Sequence, residues 1–179
     1  MIKVKDKDEL RKIIEDKLIP LNEVDISEIT EMSGLFIIIK EINGSISNWD
    51  VSKVINMEDM FALSELNEDI SSWDVSNVED MSKMFYKSIF NQDISRWNIS
   101  SVRTMKDMFV NSKFNHNLGF WDLSNKNTDD MFSYSEYTLK QYEEDRSKYL
   151  SDKQQRDNLI AIYKSLNEIP ICNQIEFEF

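Results

Sequence analysis

Cysteine, histidine, proline and glycine are nearly missing from this chain. One cysteine (Cys172), one histidine (His116), two prolines and three glycines occur in 179 residues. A lone cysteine closes no internal disulfide, which fits a reducing compartment. The scarcity of glycine and proline argues against long flexible linkers. It also leaves no glycine-rich phosphate loop, and no cysteine–histidine zinc spacing can be assembled. Cations are short too: 21 Lys and Arg against 33 Asp and Glu, a net charge of −12. Such a surface repels nucleic-acid phosphate and anionic lipid, and it favours solubility or a basic partner. No run approaches the ~20 apolar residues that cross a bilayer. The opening MIKVKDKDELRK lacks the apolar stretch of a signal peptide. The expectation is a cytoplasmic protein with no membrane insertion and no direct nucleic-acid binding.

What is abundant is repetition. ISNWDVSKVINMEDMF (46–61), ISSWDVSNVEDMSKMF (70–85) and ISRWNISSVRTMKDMF (94–109) are three copies of one phrase. A worn copy covers 118–132, and a degenerate first copy begins at Val24, which takes the tryptophan place. Trp49, Trp73, Trp97 and Trp121 are each 24 apart, as are Asn43, Asn67, Asn91 and Asn115. A fixed period in this range predicts a solenoid. In I-S-x-W-D-V-S the tryptophan and the valine two places on share one face of an extended segment. In V-x-x-M-x-x-M-F the apolar residues fall at i, i+3, i+6 and i+7, one face of a short helix. In the fourth copy Lys126 and Asp129 stand for the valine and the first methionine, so Asn125–Ser135 marks the end of the array.

The flanks differ. Residues 7–18 read as an amphipathic helix with Leu10, Ile13, Ile14 and Leu18 on its apolar face, an Asp6 or Asp8 cap and Pro20 beyond. Ile37–Ile39, an apolar run beside a one-residue insertion, is expected beneath this cap. Residues 135–166 read as charged helix in two segments, the second with Leu159, Ile160, Tyr163 and Leu166 on one face. Ile175, Phe177 and Phe179 alternate with polar residues as a strand that could pair with the repeat sheet or another chain. The domains are therefore a capping helix (1–23), the repeat array (24–133) and a helical extension with a terminal strand (134–179).

The phrase F-N-Q-D-I-S-x-W-D/N-V/I-S-x-V-x-x-M-x-x-M-F resembles the BspA-like leucine-rich-repeat family, found in mycoplasma-type and other bacterial surface proteins of mostly unknown function. The resemblance covers about 24–133, and the charged helix before the first unit is similar to the family's usual start. It implies a curved right-handed solenoid, a protein-binding role and sometimes adhesion, with no catalytic residues. The expected fold is an α/β repeat solenoid: a leucine-rich-repeat-like right-handed coil of about five ~24-residue units, with an N-terminal helical cap and a helical C-terminal extension.

Within each unit most positions read as scaffold. The Trp, Met and Phe rows are core. The asparagine row reads as a ladder inside the turn. Ser52, Ser76, Ser100 and Ser124 read as caps of the helical halves. His116 stands where Gln92 stands one unit earlier and reads as a turn residue. Asn98 breaks the acidic row that a calcium ladder would need. No catalytic residue, metal or cofactor is expected. The candidate binding residues flank the tryptophans on the outer face: Asn48, Asp50, Ser72, Asp74, Arg96, Asn98, Phe120 and Asp122. The leading expectation is a non-enzymatic module that binds a protein partner of basic character. Two rivals are an intracellular inhibitor of phage or mobile-element type that occupies a basic nucleic-acid-binding site of a host enzyme, and a fragment of a surface adhesin.

Overall fold

A computed structural model describes residues 1–166. The chain opens with β1 (Ile2–Lys3), which the sequence did not predict. It runs parallel to β2 (Val24–Asp25), with Ile2 opposite Val24. Between them lies α1 (Lys7–Asp16), capped by Asp6, whose carboxylate accepts from the Glu9 N–H at 2.9 Å. Leu10 and Ile14 are buried. The helix ends earlier than its apolar spacing predicts. Lys17 turns left-handed (φ 53°) and donates its N–H to the Ile13 carbonyl, which throws Leu18 outward to 82% exposure. A left-handed residue just past the last turn is a common helix stop.

From β2 onward the chain is a series of tight turns that stack. Glu31, Asn56, Asp80, Thr104 and Asn127 form a continuous line of parallel bridges, one per unit. Around each bridge four N–H groups donate to four carbonyls of the next unit. Met57, Asp59, Phe61 and Leu63 donate to Asp80, Ser82, Met84 and Tyr86 at 2.7–2.9 Å. The same four-bond step recurs from Met32–Ile38, from Met81–Lys87 and from Met105–Asn111.

These bonds lie in the half of the phrase that reads as helical, and that half is not a helix. Met60, Ala62 and Ser64 donate to Met57, Asp59 and Phe61, three residues back. Asp59 and Leu63 take positive φ of 54° and 58°. A chain of i→i+3 turns returns side chains i and i+3 to the same side, as a helix does, so the apolar spacing alone does not separate the two. The tryptophan half keeps its alternation: Trp73 and Val75 are buried while Ser72 and Asp74 are exposed. It carries few backbone rungs. Instead the Trp49, Trp73 and Trp97 indole N–H groups donate to the Leu21, Ile46 and Ile70 carbonyls of the preceding unit at 3.0–3.2 Å.

Phenylalanine fills the interior. Phe36, Phe61, Phe85, Phe109 and Phe132 form a column with neighbouring centroids 5.2–5.9 Å apart and planes within 9° of parallel. Phe90 and Phe114 stack beside it at 4.1 and 4.4 Å. Aromatic pairs of this kind contribute about 0.5–1.5 kcal/mol each beyond their buried area. Ile38, expected beneath the cap, is 66% exposed with φ 59°; Ile37 and Ile39 are half-buried beside it.

The array closes on α2 (Leu139–Leu166), one helix where the sequence suggests two. Its first turns dock on the last unit. Tyr142 stacks on Phe132 and donates to the Trp121 carbonyl. Tyr137, just before the helix, donates to Asp145 at 2.7 Å and accepts from the Leu118 N–H. The missing residue of this unit falls between Lys126 and Asn127, so Thr128, not Asp129, holds the first methionine's place. The side chains of the expected Leu159, Ile160, Tyr163 and Leu166 face, and the expected strand at 171–179, lie outside the described residues.

Candidate functional site

The polar turn residues are built by one device used three times per unit. A short side chain accepts the N–H two residues on. Asp69 and Asp93 hold Ser71 and Ser95 in this way. Asp50, Asp74, Asn98 and Asp122 hold Ser52, Ser76, Ser100 and Ser124 at 3.0–3.1 Å. Asn56, Asp80 and Asn127 hold Glu58, Ser82 and Asp129. Such turns fix the backbone without a ladder. The serines therefore do not cap helices, because no helix follows them; they are the donors of these turns. The Ser52 hydroxyl also binds Asp50, at 2.6 Å. The serine hydroxyl, and then the serine N–H, lower the carboxyls of Asp50, Asp69, Asp74 and Asp122 below their ordinary range.

The asparagine row is a ladder: Asn67 accepts from the Asn91 N–H and Asn91 from the Asn115 N–H, at 2.8 and 2.9 Å. At its head Asn43 donates to the Lys17 carbonyl and ties the array to α1. His116 sits with Nε2 3.1 Å from the Asn91 carbonyl, as Gln92 Nε2 sits 3.1 Å from that of Asn67. A buried serine row, Ser64, Ser88 and Ser112, is a feature that reading missed. Ser88 donates to the Phe85 carbonyl and accepts from Phe90. The 24-residue period of these serines was the available signal.

All eight candidate binding residues are exposed. They do not form one uniform surface. Asn48, Asp50, Ser72, Asp74 and Asn98 stand along three successive units. The last pair is engaged by the extension: Phe120 packs against Tyr149 at 4.9 Å, and Asp122 lies 3.5 Å from Arg146. Arg96 lies over the Phe120 ring at 4.7 Å, so its charge is drawn toward the same end. Trp97, Asn98, Phe120 and Asp122 line a cleft of about 390 Å³ there.

A larger groove, about 820 Å³, runs across all five units along the left-handed turns. Ile37, Ala62, Tyr86 and Val110 line it together with Asp59, Lys83, Asp107 and Asp130. Burial raises the Asp59 carboxyl, with Lys83 opposing. Nothing in the composition points to this groove. The 59/83/107/130 row that lines it holds positive φ in every one of these units.

The fold and its turns thus define a repeat protein whose units of about 24 residues are joined by backbone hydrogen bonds, with a helix packed on the core at each end. The chain belongs to the family described as "Mycoplasma protein of unknown function, DUF285", whose model matches residues 8–112 and 63–149. No curated protein and no solved structure matches it. Among the described residues no helix is long and apolar enough to cross a membrane.

Proposed function

We propose that this chain is a non-enzymatic protein-binding module of the BspA-like, leucine-rich-repeat type, wound as a right-handed solenoid, and that it presents the row beside the tryptophans to a basic protein partner. The observation that supports this most is the pinned aspartate row. Asp50 and Asp74 each commit one carboxylate oxygen to a turn bond, at fixed spacing on units that are themselves hydrogen-bonded together. Exposed carboxylates on a rigid frame lose little conformational freedom on binding. The open part of the surface is Asn48, Asp50, Ser72, Asp74 and Asn98, with Arg96, Phe120 and Asp122 shaping its margin beside α2.

The test is pull-down from the native cell with the wild-type chain, then with Asp50→Lys/Asp74→Lys and with Asp50→Asn/Asp74→Asn. The asparagine pair keeps the turns, as Asn98 does, and removes only charge. Binding lost in both variants supports the surface; unchanged binding to every recovered partner would sink it. A second reading, an inhibitor that fills a basic nucleic-acid-binding site in the cytoplasm, is favoured by the −12 charge. It calls for binding that weakens steeply between low and physiological salt.

A further inference from the structure

The four-bond step between units is repeated four times, with N···O distances of 2.7–3.1 Å, and then stops. In the last unit the positions equivalent to Met105, Asp107, Phe109 and Asn111 are Thr128, Asp130, Phe132 and Tyr134. Their N–H groups have no hydrogen-bond partner among the described residues. The backbone that aims them is kept: Asp130 and Tyr134 retain positive φ of 54° and 56°, as Asp107 (58°) and Asn111 (53°) do. α2 covers the core side of this unit through Tyr142 on Phe132. It leaves Asp129, Asp130 and Tyr134 exposed, the last to 87%.

The opposite end is different. There the register of Asn56, Glu58, Met60 and Ala62 makes Glu31, Ser33, Leu35 and Ile37 the carbonyls that a preceding unit would use; from α1, Lys7 Nζ donates to the Ser33 carbonyl and Arg11 to the neighbouring Gly34 carbonyl. The array is therefore polar: α1 engages one carbonyl of its acceptor end, and among the described residues the N–H row of its donor end has no partner. Two donor edges cannot pair with each other, which excludes a two-fold dimer through this edge. A head-to-tail copy would have to displace the Lys7 bond to Ser33.

We propose that the 128–134 edge is a docking site for a partner protein's segment that offers a row of carbonyl oxygens in this turn geometry and carries basic side chains. Hydrogen-bond complementarity sets the backbone requirement, since unpaired edges of this kind are templates for strand addition. Charge complementarity sets the side chains: Asp129 and Asp130 flank the donors, and among the described residues no cation is paired with either carboxylate. This surface is distinct from the tryptophan-flanking row, so either can fail without the other.

The chain contains a probe of the right kind. Residues 103–113 supply the carbonyls of Thr104, Lys106, Met108 and Val110 to the unit before them, and carry Arg103, Lys106 and Lys113 against Asp107. A synthetic peptide of that sequence is added to the ¹⁵N-labelled full chain, and amide hydrogen exchange is read residue by residue. The expected result is slowing of at least ~10-fold at Thr128, Asp130 and Tyr134, with the inner units unchanged. A peptide with Asp in place of Arg103, Lys106 and Lys113, and the Asp129→Lys/Asp130→Lys variant, should each lose most of that protection. Lysine is compatible with the left-handed site, since Lys83 occupies the same row. No protection by the basic peptide, or equal protection by the acidic one, overturns the proposal. Protection of these amides in the full chain alone, whether monomeric or self-associated, overturns it too, because the edge would then be closed by the chain itself.

Discussion

Ile38 and Leu63 hold positive φ with side chains ill-suited to it. The left-handed region costs an ordinary residue about 1–2 kcal/mol, and a β-branched residue is the worst case. The next unit's carbonyls hold these residues there: Ile38 donates to Ala62 at 3.1 Å. Ile38→Gly should therefore raise stability by about 1 kcal/mol, since the side chain is mostly in water. Gly34→Ala, at φ 62°, should lower it by a similar amount. Both are read from urea midpoints at constant m. Phe85 is the contrary case. It is fully buried and stacks on Phe61, Phe90 and Phe109, so Phe85→Ala should cost about 3–5 kcal/mol. A drop under 1 kcal/mol would show that the column is not the core.

At the scale of elements, α2 is held to the array by close approach as much as by bonds. A Cβ on Gly119 would sit 2.7 Å from the backbone of Asp145. Gly119→Ala should lift the first turns of α2 and speed proteolysis between 139 and 150, while amides of the central units keep their protection. Uniform loss of protection would mean that the helix and the array unfold together. Much of this level was legible. The period, the Trp, Met and Phe rows, the asparagine ladder and the terminal helix before the array follow from spacing. The division of each unit did not. Methionine at i and i+3 fits a helix turn and a β-turn equally, and the residues that decide it, Asp59, Lys83 and Asp107, show no glycine signal at their left-handed sites. The binding row was legible as exposed positions, but not its overlap with α2, which depends on Arg146 and Tyr149, 24 and 29 residues beyond their partners Asp122 and Phe120.

For the whole molecule, the pinned carboxylates set the response to acid. Asp50, Asp69, Asp74 and Asp122 bind protons less readily folded than unfolded. As pH falls below the ordinary aspartate value of about 4, the unfolded chain takes up protons first, and stability is lost until the folded values are passed. Asp59, raised by burial, works in the other direction and softens the loss. Urea midpoints between about pH 5 and 2.5 should fall, and Asp50→Asn/Asp69→Asn/Asp74→Asn should flatten that fall. An unchanged acid limb in the triple variant would show that other groups govern it. The salt bridges between units, such as Lys53–Glu28 and Lys113–Glu136, are exposed at both partners and contribute little of the stability.

The one-way stack also has a genetic consequence. Each inner unit receives four bonds and hands on four in the same register, so neither end cap distinguishes how many units lie between them. Recombination that adds or removes a whole period of codons would leave the contacts of α1 and α2 intact. A length change inside the bonded step would strand part of its row of donors, whereas one outside it, such as the residue missing between Lys126 and Asn127, leaves all four bonds in place. Copy number is thus the dimension along which this chain can vary in length at least cost.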